Sequence, residues 1–477
     1  MSNSASASSR SRILSLLDDN SFVEIGSRVT ARSTDFNIKA NEAAGDGVIT
    51  GYGTIDGYLC YVYSQDASVL GGSIGEMNAK KIVRMYDMAV KMGAPVIGIL
   101  DCAGLRLQEA TDALDGFGSI YLAESRASGV VPQICAVFGN CGGGLAVAAS
   151  MADFVFMEKD AKLFVNSPNA LAGSNEQELD NTTAEYQESE SGIVDASGTE
   201  EEIFAKIRSL VNILPSNNEE GAPVDETGDD PNRQNSGLEQ YLGDGAQLLT
   251  QISDGGFCLE LGKNYGRHLV TAFIRMNGTT VGAVASNSVV SGERVDAVIC
   301  PKAARKAADF INFCDAFDIP VLTLADVAGF ARKAKAEAAL AREIGRLTAA
   351  YASSDVPKVT VVTGKAFGSA AVALGSKSLG TDIAFAWPEA EIGLMDAKAA
   401  VQIMYADELE KAEKKAEFLN EKTEEYKKLT GSAEAAARRG YVDDIIEPAE
   451  TRQRVIAAFE MLYTKSEDQP SRKHGTI

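Results

Sequence analysis

The strongest constraint on this chain is an internal repeat in which matching residues keep one constant spacing. Residues 94–105, A-P-V-I-G-I-L-D-C-A-G-L, are echoed by residues 319–330, I-P-V-L-T-L-A-D-V-A-G-F. The prolines at 95 and 132 recur at 320 and 357, and the aspartate at 101 recurs at 326. The glycines at 104, 139 and 143 recur at 329, 364 and 368. Six agreements at one spacing predict that the chain consists of two copies of one domain.

The most informative stretch of each copy is a glycine-rich turn between an apolar strand and a run of small residues. In the first copy the predicted strand Ile134–Phe138 leads into Gly139–Gly144 and a predicted helix, Leu145–Met151. Residues 356–373, V-P-K-V-T-V-V-T-G-K-A-F-G-S-A-A-V-A, keep the same order. Bare backbone and the first free amides of a helix favour a negatively charged oxygen, such as that of a phosphate or a reacting thioester. Such turns also serve close packing, so one copy alone does not decide between packing and chemistry.

At 477 residues the chain exceeds the usual size of a single core, which favours two domains. Each copy has strands alternating with helices, the pattern of an α/β fold with mainly parallel strands. Asp56-Gly57 and Asn277-Gly278 each predict a tight hairpin turn. Residues 174–235 are acidic and rich in Asn and Ser, as in a connecting segment. We therefore predict an N-terminal domain at residues 1–235 and a C-terminal domain at residues 236–477.

Composition excludes some functions. A formal net charge of −22 argues against nucleic-acid binding, which requires a basic surface. Lys80, Lys81 and Arg84 form a cationic group that fits either a solvated helix face or a site for an anion. The seven cysteines contain no C-x-x-C pair, which predicts buried, reduced thiols and a cytoplasmic location. With only two histidines, His268 and His474, we expect neither histidine-based catalysis nor a metal site.

Several separate motifs resemble one known family. They are G71-G-S-I-G-E, G139-N-C-G-G-G, W387-P-E-A-E-I-G and G440-Y-V-D-D-I-I-E-P-A-E-T-R, with S64-Q-D, L214-P-S-N-N and F313-C-D-A-F. The chain thus resembles, over most of residues 12–465, the carboxyltransferase subunits of biotin-dependent acyl-CoA carboxylases, decarboxylases and transcarboxylases of the propionyl-/methylmalonyl-CoA type. The resemblance implies tandem crotonase-like domains of the ClpP/crotonase superfamily, the N-terminal one binding acyl-CoA and the C-terminal one binding biotin.

The resemblance also implies an assembly and partners. It implies a homohexamer, a ring of dimers, with active sites between the N-terminal domain of one subunit and the C-terminal domain of another. Biotin is then carried by a separate biotin carboxyl carrier protein, and acyl-CoA is the substrate. Two arrangements stay open: a complex with a biotin carboxylase in the cytoplasm, and one with a membrane decarboxylase pump, to which the subunit would be peripheral.

By resemblance, the two glycine-rich turns hold the oxygens on which charge develops. Gly143 and Gly144 would hold the thioester oxygen, and Ser369 and Ala370 would hold the ureido oxygen of biotin. Preorganised amides of this kind typically lower a barrier by about 3 kcal/mol each. The resemblance assigns substrate binding to Gly71, Gly72, Arg106, Gly142 and Val372.

Two departures from the family pattern affect the expected site. D101-C-A-G-L-R-L-Q-E-A keeps most of a family motif but has bulkier residues at Cys102 and Leu105. Residues 326–345, D-V-A-G-F-A-R-K-A-K-A-E-A-A-L-A-R-E-I-G, lack the prolines, inner glycines and histidine of the family. This second departure predicts a continuous helix where the family has an irregular lid, and it alters the wall of the biotin site.

Three functions stay open on sequence alone. The leading one is carboxyl transfer between carboxybiotin and the α-carbon of a short acyl-CoA, such as acetyl- or propionyl-CoA. Its variant is a methylmalonyl- or glutaconyl-CoA decarboxylase subunit of a sodium-pumping complex. A biotin-independent crotonase-type hydratase or isomerase would need a carboxylate base, for which Glu109 is the candidate. A non-enzymatic scaffold of the same fold is favoured only by the altered lid.

Overall fold

The structure, a computed structural model, describes residues 8–32, 45–172, 179–290, 292–295 and 297–467. The chain divides into two compact units, Met1–Pro223 and Val224–Ile477. His474, one of the two histidines of the chain, lies outside the described residues.

The division falls earlier than the predicted boundary after residue 235, which the structure places inside the second unit. The backbone explains the difference. The Asp225 N–H donates to the Gly278 carbonyl at 3.1 Å, and the Asn235 N–H donates to the Ala449 carbonyl at 2.9 Å. The end of the connecting segment is therefore tied to the second unit.

The first unit is built on an eight-stranded sheet with helices along the chain between its strands. Its strands are β1 Val23–Ile25, β2 Val48–Ile55, β3 Tyr58–Gln65, β4 Val96–Cys102, β5 Gln133–Gly142, β6 Phe154–Glu158, β7 Lys162–Phe164 and β8 Ala196–Gly198. Its helices are α1 Ser9–Leu16, α2 Glu76–Met92, α3 Thr111–Ala127, α4 Gly144–Ala149, α5 Ala184–Tyr186 and α6 Glu200–Ile213. The strand order is β1-β2-β3-β4-β5-β6-β8, with β7 paired to β5. From β3 onward neighbouring strands are parallel, so their carboxyl ends share one edge.

The second unit has a sheet of the same size and two short additional strand pairs. Its strands are β9 Cys258–Leu261, β10 Leu269–Met276, β11 Thr279–Ser286, β12 Val289–Val290, β13 Glu293–Arg294, β14 Val298–Ile299, β15 Val321–Val327, β16 Gly329–Phe330, β17 Lys358–Phe367, β18 Ile383–Ala386, β19 Glu391–Gly393 and β20 Asp444–Ile445. Its helices are α7 Gly245–Ile252, α8 Pro301–Ala316, α9 Ala334–Ser353, α10 Gly368–Ala373, α11 Ala397–Met404, α12 Ala406–Lys411, α13 Lys415–Tyr426, α14 Ala433–Arg438 and α15 Thr451–Met461. The main sheet runs β9-β10-β11-β15-β17-β18-β20, with β19 paired to β17. The continuous helix predicted in place of the lid is confirmed as α9.

Strand order and register confirm the predicted duplication. The pairs β4 and β15, and β5 and β17, begin and end at the same spacing as the sequence repeat. Both copies shift register at the same place, between Leu100 and Cys102 in β4 and at the equivalent position in β15. Gly143 and Gly368 directly follow β5 and β17. The two glycine-rich turns therefore occupy equivalent positions.

The two predicted hairpin turns are present, one in each copy. Asp56 and Gly57 connect β2 to β3 with φ values of 47° and 87°. Asn277 and Gly278 connect β10 to β11 with φ values of 52° and 78°. Two successive positive φ values match the twist of antiparallel strands, which is why Asp-Gly and Asn-Gly predict such turns reliably.

The two copies differ in the connection between the hairpin and the first long helix. In the first copy this connection runs from Gln65, the end of β3, to Glu76, the start of α2. In the second copy it runs from Ser286, the end of β11, to Pro301, the start of α8, and is longer. The strand pair β12–β13 lies in this longer connection.

Helix α2 shows why the layers pack as they do. Its Ile82, Met85, Tyr86 and Ala89 follow the spacing of one helix face, and all are buried in the core of the first unit. Burying each of the three larger side chains contributes roughly 1.5–3 kcal/mol.

The three cations at the start of α2 differ in exposure because of this packing. Lys80 and Arg84 are exposed, which matches a solvated helix face. Lys81 is buried, and its Nζ donates to the carbonyl of Gly45 at 2.8 Å and to that of Val48. Lys81 therefore binds the backbone of its own unit instead of an external anion.

Candidate active site

The carboxyl edge of the first sheet gathers three of the sequence motifs. Carboxyl ends of parallel strands are the usual place for ligands in α/β folds. The loops after β3 and β4 are joined there: the Ile74 N–H donates to Gly104 O at 2.9 Å, and the Arg106 N–H donates to Ile74 O at 2.9 Å. The Ala103 N–H donates to Gly71 O at 2.8 Å. The glycine-rich turn after β5 lies at the same edge.

The first glycine-rich turn presents one of the two predicted amides and one that was not predicted. Gly143 has φ 63° and ψ −128°, and its N–H donates to the Phe164 carbonyl at 2.9 Å. The Gly143 N–H is thus engaged within the sheet, and the role of Gly143 as an oxyanion donor stays a prediction. Within the described part of the chain, the N–H groups of Gly144 and Leu145, the first two of α4, have no acceptor. Leu145 was missed because the motif drew attention to its glycines instead of to the helix that follows them.

Aromatic side chains fix the position of this turn. The Tyr121 hydroxyl donates to Gly144 O at 2.7 Å. A β-carbon at Gly144 would lie 2.8 Å from that hydroxyl, and one at Gly142 would lie 3.0 Å from the Phe164 ring. Both residues are thus held by close packing; the role of Gly142 in substrate binding stays a prediction.

Gly71 and Gly72 form a second close approach at the same edge. Gly72 is buried, its N–H donates to Val69 O at 3.0 Å, and a β-carbon there would lie 2.4 Å from the carbonyl of Asp101. Gly71 is half-buried. Their predicted contact with acyl-CoA stays a prediction, and the structure adds that Gly72 also lets two loops meet.

The side chain of Arg106 is buried. Its side chain is 1% exposed and forms ion pairs with Asp46 and Glu109. Two further donations, at 3.2 and 2.7 Å, reach the hydroxyl and the carbonyl of Ser73. In this structure the side chain joins the loops after β3 and β4, and the substrate-binding role of Arg106 stays a prediction.

The two acids beside Arg106 are equally enclosed. Burial raises the pKa of Asp46, and the Arg106 guanidinium opposes that rise. Glu109 accepts from Arg106 at 2.8 Å with one oxygen and from the Glu76 N–H at 2.6 Å with the other. Because both of its oxygens are engaged in the interior, Glu109 is unsuited to be a general base.

The second glycine-rich turn places its predicted residues on the first turn of α10. Gly368 begins the helix with φ 59°, and Ser369 and Ala370 follow. Neither the Ser369 nor the Ala370 N–H has an acceptor among the described residues. Val372 is 44% exposed on the same helix. The donor roles and the acyl-pocket role stay predictions.

An aspartate carboxylate lies against the strand that leads into each turn. A β-carbon at Gly139 would lie 2.0 Å from a carboxylate oxygen of Asp101, and one at Gly364 would lie 2.6 Å from that of Asp326. The Lys365 N–H donates to Asp326 at 2.8 Å, and burial raises the pKa of Asp326. The sequence repeat had marked both aspartates, but nothing in the sequence indicated that they contact the turns.

Cys102 is one of the two residues that are bulkier than their counterparts in the family motif, and it packs within its own loop. It is buried, and its sulfur accepts from the Gly104 N–H at 3.2 Å. Burial raises the pKa of the Cys102 thiol to about 11, so the thiol is neutral at physiological pH. The substitution therefore changes a loop contact and adds no nucleophile.

These features can be compared with known proteins. A profile of the carboxyl transferase domain matches residues 4–477. The chain belongs to the carboxyl transferase family. This carboxyl transferase is 41% identical to the propionyl-CoA carboxylase beta chain of Roseobacter denitrificans, over 98% of this chain and 93% of that one. It is 39% identical to the methylmalonyl-CoA decarboxylase subunit alpha of Veillonella parvula, over 98% and 92%.

A solved structure agrees with the sequence relatives. The carboxyl transferase matches a crystal structure of the transcarboxylase 12S hexamer with hydrolysed methylmalonyl-coenzyme A bound, at a TM-score of 0.92 and 35% identity. The match covers 98% of this chain and 92% of that one. The predicted fold class, tandem crotonase-like α/β domains, is therefore confirmed.

Proposed function

We propose that this carboxyl transferase moves a carboxyl group between carboxybiotin and the α-carbon of a short acyl-CoA. The observation that carries the proposal is the duplicated turn: each copy ends a central strand in a short helix whose first amides have no acceptor among the described residues. A carboxyl transfer of this kind develops negative charge on two oxygens, and two such turns are what it requires.

The residues of each turn fit one of these oxygens. The Gly144 and Leu145 amides would stabilise the thioester oxygen as the α-carbon gains or loses its carboxyl group. The Ser369 and Ala370 amides would hold the ureido oxygen of biotin. When bound, carboxybiotin supplies the carboxyl group, and its ring nitrogen supplies the proton acceptor. The chain then needs no side-chain base.

The alternative hypotheses are weaker. A biotin-independent hydratase or isomerase requires a carboxylate base, and Glu109, its candidate, is fully engaged with Arg106 and the Glu76 N–H. A scaffold without activity would not require two equivalent turns whose first amides have no acceptor among the described residues. The direction of transfer stays open, because the relatives include both a carboxylase beta chain and a decarboxylase subunit.

The proposed assembly rests on the similarity to a solved structure. We infer a homohexamer, as in the transcarboxylase 12S structure, served by a biotin carboxyl carrier protein and completed by a biotin carboxylase or a decarboxylase pump. None of the described helices is both long and apolar enough to cross a membrane. A cytoplasmic location, with or without attachment to a membrane complex, stays a prediction.

The test is the dependence of carboxyl loss on biotin. Purified chain should decarboxylate malonyl- or methylmalonyl-CoA when free biotin is present, and the rate should rise with biotin concentration. A rate that is the same without biotin would contradict the proposal and favour a biotin-independent enzyme. Hydration or isomerisation of an enoyl-CoA would favour the hydratase hypothesis directly.

Val372 is expected to influence the choice of acyl group. An apolar side chain favours a branch or added length over bare acetyl, and one methylene in an apolar pocket changes selectivity by roughly 10-fold or more. Val372→Asp should therefore lower the rate on propionyl-CoA relative to that on acetyl-CoA. Competition between the two substrates measures the ratio. An unchanged ratio in a correctly assembled variant would remove Val372 from the acyl pocket.

A further inference from the structure

Five exposed cationic side chains lie in β13, in β17 and at the passage from β16 into α9, in a chain whose net charge is −22. We call this set the cationic rim. Its members are Arg294, Arg332, Lys333, Lys335 and Lys365. None of them forms an ion pair with any residue that the structure describes, whereas many other cations of the chain do.

The chain places the rim beside the turn. Lys365 lies on β17, just before Gly368. Arg332, Lys333 and Lys335 lie where the chain passes from β16 into α9, and both of these elements pack against α10. Arg294 lies in β13 and, like Lys365, acts electrostatically on Asp326. Three separate segments therefore bring positive charge to one region.

The first copy offers an internal comparison. At the spacing of the sequence repeat, the counterparts of Arg332, Lys333, Lys335 and Lys365 are uncharged: they are Leu107, Gln108, Ala110 and Asn140. The positive charge thus belongs to the second turn and not to the shared framework. Glu293, Asp296 and Glu337 are the acidic residues within two positions of these five cations in sequence, apart from which the rim retains a positive excess.

We propose that the cationic rim is the docking surface for an acidic face of the biotin-bearing partner. This inference rests on the proposed function, in which the second turn receives biotin. The cations are exposed and spread over three segments, so they suit a broad protein surface better than one small anion. Exposed charges contribute little to affinity through individual ion pairs, but together they steer an oppositely charged protein and raise its association rate by about 10-fold or more.

The test uses biotinyl-lysine peptides of defined charge as probes. Two peptides of equal length carry four glutamates or four lysines around the biotinyl-lysine, and biotin amide, which has no charge, is the reference. The rate of carboxyl transfer from methylmalonyl-CoA is measured for wild type and for Lys333→Glu/Lys335→Glu. The matched control is Lys91→Glu/Arg126→Glu, which changes charge equally on exposed residues near the ends of α2 and α3, at the amino edge of the first sheet.

We expect wild type and control to prefer the acidic peptide by about 10-fold in kcat/KM at low salt, with the preference lost as salt screens the charges. In Lys333→Glu/Lys335→Glu the preference should disappear or reverse, while rates with biotin amide stay unchanged. Equal use of both peptides by wild type would overturn the docking surface and leave the proposed function standing. A raised KM for methylmalonyl-CoA in place of a changed peptide preference would assign the rim to coenzyme A phosphates and likewise overturn it. No transfer to any form of biotin would contradict the proposed function itself.

Discussion

Replacing Ser369 by proline is expected to lower the rate of carboxyl transfer by about 10²–10³-fold. The substitution deletes one amide hydrogen that has no acceptor among the described residues. Ser369 is the second residue of α10, in the first turn of the helix, where a proline sacrifices no intrahelical hydrogen bond. The loss should therefore appear in turnover while the fold survives.

The matched variant is Ser369→Ala, which keeps the amide and shortens an exposed side chain. We expect it to work at nearly the wild-type rate. Both variants are assayed for transfer to biotin, for acyl-CoA affinity and for oligomeric state. Near wild-type turnover in an assembled Ser369→Pro enzyme would show that the biotin oxygen is held elsewhere. If Ser369→Ala is as slow as the proline variant, the hydroxyl takes part in the chemistry.

Gly143→Val is expected to cost a similar factor for a different physical reason. A β-carbon at Gly143 would meet nothing within 4 Å, so no clash is involved. The combination of φ 63° and ψ −128° is one that side chains other than glycine avoid, at a cost on the order of 1–3 kcal/mol. The turn should relax to another conformation and misdirect the Gly144 and Leu145 amides, which lowers turnover by two orders of magnitude or more.

Gly118 provides the control, because a β-carbon there also meets nothing within 4 Å but the residue lies inside α3 without a positive φ. Gly118→Ala should stabilise the helix by about 0.5–1 kcal/mol and leave turnover unchanged. Thermal unfolding and steady-state kinetics separate the two effects. If Gly143→Val and Gly118→Ala both keep nearly wild-type turnover, the backbone conformation of the first turn does not depend on Gly143.

How far the sequence could predict this molecule depends on the range of the interactions involved. The duplicated strands, the two hairpin turns and helix α9 follow from local patterns, and all were predicted. Contacts between distant segments could not be predicted. Arg106 carries a charge that indicates a ligand, yet its partners Asp46 and Ser73 come from other loops and bury it. The donation from Gly143 to Phe164 likewise depends on β7, which the glycine motif does not indicate.

The domain boundary shows the same limit. Composition extends the connecting segment to residue 235, because polar and acidic residues are typical of segments outside a hydrophobic core. The structure divides the chain after Pro223, because the later part of the segment finds backbone partners in the second unit. Such pairing leaves no trace in local sequence.

The longer connection between the second hairpin and α8 bears on how the two copies diverged. Both copies keep the same central strands at the same spacing, so lengthening one edge loop did not disturb the sheet. A framework whose carboxyl edge accepts loops of different length can present different surface chemistry in its two copies. The central strands need not change for the two edges to differ.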